Sequence, residues 1–116
     1  MSDNTEPKLD EKEEKGREEA ILQEAYNAMM KLSVPEWITW FIGHLSQLAW
    51  QYIGLMENPV SKKVEKDFEQ AELAIDTINI LMEKVKNKLP DDTGKELQGL
   101  VANLQVNFVK QRAKEN

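Results

Sequence analysis

The sequence predicts an all-α fold: a three-helix antiparallel hairpin bundle with a long central heptad helix, preceded by an acidic arm and a short helix. Three observations carry this. Apolar residues recur at helical spacing in three stretches beyond residue 33. Two turns, at Asn58-Pro59 and at Pro90-Asp91-Asp92-Thr93-Gly94, separate those stretches. No segment alternates apolar and polar residues as a half-buried strand would. A length of 116 residues allows one small domain. The expected organisation is an arm over 1–19, a short helix within 20–33 and a helical domain over 34–113.

The arm is expected to be disordered. Eight of residues 1–19 are Asp or Glu, and its large apolar side chains are Met1 and Leu9. From Ala20 the composition changes. Ile21, Leu22, Ala25, Tyr26, Met29 and Leu32 recur at helical spacing and predict an amphipathic helix from about Glu18 to Leu32.

Ser33-Val34-Pro35-Glu36 reads as a helix start, with Ser33 as cap, Pro35 in the first turn and Glu36 completing a capping box. The helix should run to Tyr52 or Ile53 and close at Gly54. Pro59 then forbids continuation and holds Asn58 extended. The next helix is predicted over roughly Ser61 to Leu89. Val64, Phe68, Ala71, Ile75, Ile78, Met82, Val85 and Leu89 alternate four and three apart, a full heptad pattern. The last helix is expected from a Thr93–Glu96 capping box to about Arg112. Leu97, Val101, Leu104 and Phe108 share one of its faces, and Lys110, Arg112 and Lys114 suit its C-terminal dipole.

The stretch from Trp37 to Met56 bears most on partners. At 100° per residue, Trp37, Ile38, Phe41, Ile42, Leu45, Leu48, Ala49, Tyr52 and Ile53 form one broad apolar face. Trp40 and Trp50 fall on the polar side. On the heptad helix, Leu73 and Ile80 lie seven apart and opposite the stripe, and Val106 and Val109 lie off the main face of the last helix. A three-helix domain can hide one stripe per helix, not two faces of one. The leftover apolar surface predicts self-association, with Trp40, Trp50, Leu73 and Ile80 at the interface. Phe41, Leu45, Phe68, Ile75, Ile78, Leu104 and Phe108 are expected in the core.

Charge and residue inventory exclude several functions. Residues 1–24 hold nine acids and four bases, and residues 25–116 hold twelve and eleven. The imbalance of -6 therefore sits mostly in the arm, and nothing resembles the clustered cations a nucleic acid needs. There is no cysteine and one histidine, which removes thiol chemistry, disulfides and zinc fingers. The five glycines never form a phosphate-cradling run. Residues 1–20 lack the basic start and apolar core of a secretory signal, so a cytoplasmic location is expected. Residues 37–56 match a spanning helix in length, but His44, Ser46, Gln47 and Gln51 interrupt them. An interfacial helix on a membrane surface remains a minor alternative.

Two constellations invite chemistry. Glu65, Glu69, Glu72 and Asp76 share a stripe of the heptad helix, with Glu83 further along. They could hold a hard cation, but a solvated face answered by Lys62, Lys63 and Lys66 explains them better. His44 has no Glu three residues before it, because residue 41 is Phe, so a bundle di-metal site is not indicated. No catalytic, cofactor or metal residue is assigned, and no enzyme activity is expected.

Phe41-Ile42-Gly43-His44-Leu45-Ser46-Gln47-Leu48-Ala49, then Ile53-Gly54 and Asn58-Pro59, resembles a family of short bacterial proteins known only as domain of unknown function 1844. Ala71, Ala74-Ile75-Asp76-Thr77-Ile78 and Leu81 match its long helix, and Leu97 to Phe108 its terminal one. The resemblance covers about residues 34–112. It implies an all-helical fold and transfers no activity or site residue. The expected function is a non-enzymatic, self-associating structural or interaction protein. The alternative is an adaptor or regulatory subunit that docks its Trp-rich helix on a larger protein.

Overall fold

The computed structural model describes residues 5–115, with side-chain burial from Asp10 onward. Among these residues four α-helices follow one another: α1 (Thr5–Met30), α2 (Val34–Ile53), α3 (Phe68–Val85) and α4 (Asp91–Glu115), with a 3-10 turn at Lys86–Lys88 between the last two. Among the described residues there is no strand. The chain divides into two units, the first ending at Ser33 and the second beginning at Val34.

In the first unit, helix replaces the disorder expected over the described part of residues 1–19; residues 1–4 lie outside the described residues. Glu, Lys, Arg and Ala dominate the stretch and are strong helix formers. Glu11–Lys15 and Glu13–Arg17 stand at the favourable four-residue spacing. The helix is therefore locally driven: every side chain from Asp10 to Ala28 is exposed. It also runs through Glu18 to Met30, where a helix was predicted.

In the second unit, α2 begins and ends where the sequence predicts. Thr39 Oγ1 donates to Pro35 O at 2.9 Å inside the first turns. At the far end the Gly54 N–H donates to Gln51 O and the Leu55 N–H to Trp50 O. That double bond pattern, with Gly54 at φ 96°, is a Schellman cap.

The heptad helix is shorter than predicted, and it begins at Phe68 rather than Ser61. Asn58 controls the intervening segment. Its side-chain oxygen accepts from the Val60 N–H at 2.8 Å and the Ser61 N–H at 3.1 Å. Its backbone exchanges bonds with Lys62 and Lys63, and Lys62 turns left-handed at φ 63°. These local bonds outcompete a helical turn. Asp67, extended at φ -156°, then caps α3 by accepting from the Gln70 N–H. Val64 consequently lies outside the helix, half exposed. At the other end Leu89 is extended ahead of Pro90. The last helix starts at Asp91, before the predicted Thr93 cap; Pro90 O accepts from the Gly94 N–H at 2.9 Å, and Asp91 and Asp92 fill the first turn.

The Asp67 N–H donates to Tyr52 O, so α3 starts beside the end of α2. Gln105 pairs with Asn79 at 2.6 Å and Arg112 with Glu72 at 2.8 Å, so α4 runs back along α3. The three helices share one core of Ile42, Ala49, Ile53, Ala71, Ala74, Ile75, Ile78, Met82, Val85, Leu97, Val101 and Leu104. Ile75, Ile78 and Leu104 are buried as expected; Leu45 and Phe108 pack against the core from its edge, and Phe68 is half-buried. Phe41, expected in the core, is 46% exposed.

Candidate interaction surface

Phe41 is displaced because the core takes only a narrow seam of α2. Ile42, Ala49 and Ile53, spaced seven and four apart, are its fully buried members. The small Ala49 lets a neighbouring helix close in at that line. Ile38, Leu45 and Tyr52 pack half-buried against the core from its edge, and the rest of the broad face rotates outward: Phe41 and Leu48 are exposed, and Trp37 is half-buried.

These residues form an aromatic cluster at the start of α2. The Trp37 and Trp40 rings stand 5.7 Å apart, edge to face, and Phe41 lies 5.8 Å from Trp37 and 5.9 Å from Trp40. The His44 ring meets Trp40 at 4.1 Å. Trp40 is 44% exposed. Further along, Leu45, Leu48 and Tyr52 of α2 face Gln70, Leu73, Ala74 and Thr77 of α3 across a groove of about 270 Å³. No Asp, Glu, Lys, Arg or His lines it.

Of the four residues predicted at an interface, Trp40, Leu73 and Ile80 are exposed, the last two at 65% and 62%. Leu73 lines the groove. Trp50 instead packs, half-buried, against the core, on the opposite flank of α2 from Phe41 at 100° per residue. Phe41 and Leu48, which the sequence places on the apolar face, are exposed, and Trp37 beside them is half-buried. The signal that locates them is the Ile42–Ala49–Ile53 spacing, which marks a tighter seam than the full run of apolar residues.

The acidic stripe is broken up. Glu65 precedes α3 rather than sharing its face, and accepts from the Ser61 hydroxyl at 3.2 Å. Glu72 pairs with Arg112 and Glu83 with Lys86. Among the described residues, no group of three or more His, Asp or Glu side chains is placed to hold a metal ion. No buried side-chain nitrogen or oxygen there lacks a hydrogen-bond partner, and no helix is long and apolar enough to cross a membrane.

No curated protein matches the chain, and no solved structure does. One family model matches residues 35–110, which takes in α2, α3 and most of α4 and so the whole of the buried core. The chain belongs to the family described as Domain of unknown function (DUF1844).

Proposed function

We propose that this protein is a non-enzymatic interaction protein, a three-helix antiparallel hairpin bundle that assembles with copies of itself. The observation that carries this is the outward apolar face of α2 and α3, with Trp40, Phe41, Leu48, Leu73 and Ile80 all more than 40% exposed. Monomers rarely leave large neighbouring apolar side chains in water, and aromatic residues are enriched where proteins meet. The polar side chains support the same reading. They pair along the outer edges of the helices, and the groove between α2 and α3 holds no acid, base or nucleophile set.

The test is the absolute mass in solution, measured by light scattering on a sizing column over a tenfold concentration range. A fixed multiple of the 13.4 kDa chain mass is expected. A monomer at every concentration would overturn self-association and turn the same face toward a different protein, as in an adaptor.

A further inference from the structure

We infer that the α2–α3 face is a two-fold interface with a second copy of this chain, the aromatic cluster of each copy seating in the groove of the other. This rests on the self-association proposed above and specifies where and how it occurs.

Area supports a protein partner. Trp40, Phe41, Leu48, Leu73 and Ile80 are between 42% and 65% exposed. With large side chains offering about 200 Å² each, they present on the order of 500 Å² of apolar surface. That lies within the range of the largest patches on monomers, about 300–600 Å², which are often functional. With the exposed parts of Trp37, Leu45 and Tyr52 it approaches the ~800 Å² that each partner of a stable pair buries.

Charge supports a second copy. The chain carries -6, so two copies repel overall, and a contact face without charge adds least to that repulsion. Trp37, Trp40, Phe41, Leu45, Leu48, Leu73, Thr77 and Ile80 give such a face. The unpaired acids of α3, Glu69 and Asp76, stand on the far side of Leu73 and Ile80 from the groove at 100° per residue. A cationic partner would be drawn to that acidic side, not to the neutral groove.

Shape supports two-fold symmetry. The face holds both a cluster of partly exposed rings and a recess. The rings are those of residues 37–41, and the recess is the groove beside residues 45–52. Trp40 and Leu48 are about 12 Å apart along the helix axis. A two-fold axis crossing α2 between them, at His44, brings each ring cluster over the other copy's recess. Two such contacts form at once, as an isologous interface requires.

The chain has no cysteine, so single cysteines report on this arrangement without background. In the full-length protein, His44→Cys lies at the axis and should give a covalent dimer on mild oxidation, since the paired Cα atoms must approach within about 7 Å. Ala102→Cys, exposed on α4, should not. Leu73→Glu should weaken association by at least about 100-fold, because it buries an unpaired carboxylate. It should stay folded with the parent's helix content, because Leu73 lies outside the core, and its unfolding midpoint should fall only by the stability that association supplies. Val109→Glu, equally exposed on α4, should associate like the parent.

An oligomer that Leu73→Glu leaves intact would overturn the interface while leaving self-association standing. Dissociation by Leu73→Glu without a His44→Cys crosslink would overturn the two-fold placement. So would equal crosslinking through Ala102→Cys. A parent protein that is monomeric throughout would overturn the underlying reading as well.

Discussion

Gly54 sits at φ 96°, a conformation that side chains with a Cβ adopt at a cost. A Cβ built there would lie 2.7 Å from two carbons of the Lys66 side chain. The lysine can swing aside; the backbone angle cannot change without breaking the Schellman cap. Gly54→Ala should therefore lose about 1–2 kcal/mol of stability. Gly43 is the matched contrast, exposed in the middle of α2 with nothing within 4 Å of an added Cβ. Gly43→Ala should gain about 0.5–1 kcal/mol through helix propensity. Urea unfolding of both variants reads the two signs, and equal signs would refute the argument. Gly54 was legible in the sequence because it directly follows an apolar helical run. Lys62 at φ 63° was not, because its conformation follows from the bonds that Asn58 makes, which composition does not display.

At the scale of the element, hydrophobic periodicity located each helix of the second unit but not every end. The heptad series from Val64 to Leu89 is unbroken in sequence, yet Val64 lies outside α3 and is 51% exposed. Periodicity reports what a helix would bury if it formed. It does not weigh the Asn58 turn and the Asp67 cap, which fix the start by hydrogen bonds of about 1 kcal/mol each. The difference is measurable. Val64→Ala should cost less than about 0.5 kcal/mol, as a surface change. Ile78→Ala, at a position with no exposure, should cost about 2–5 kcal/mol. A heptad helix starting at Ser61 would make both costly. The same gap between pattern and packing hid the surface of α2. Nine apolar residues share one half of that helix, but a core shared with two other helices fully buries only the seam through Ile42, Ala49 and Ile53 and takes Ile38, Leu45 and Tyr52 at its edge. In α1 composition points two ways: a high acid content favours disorder, but acids and bases four residues apart also favour a solvated helix, and helix spans Thr5–Met30.

At the scale of the whole molecule, stability and charge reside in different parts of the chain. Among the described residues, the buried apolar side chains all lie between Ile42 and Leu104, inside the second unit. Residues 1–33 hold nine acids and five bases, and residues 34–116 hold twelve and ten. The segment 1–33 thus carries a net charge of -4 and the remainder -2, together the -6 of the chain. At a salt concentration where both chains associate equally, a chain of residues 34–116 should keep the urea midpoint of the full protein, because the buried core residues lie within it. A lowered midpoint would show that the segment 1–33 supports the core. Association should respond differently. Like charges oppose the approach of two copies, and salt screens that opposition over about 8 Å at 0.15 M. The full chain should therefore associate more tightly as salt rises. The shortened chain, with a third of the net charge, should associate more tightly than the full chain at low salt and respond less to added salt. Sedimentation of both chains across a salt series measures this. Parallel salt responses would mean that the charge on the segment 1–33 is not felt between copies, and that repulsion arises within the helical unit itself.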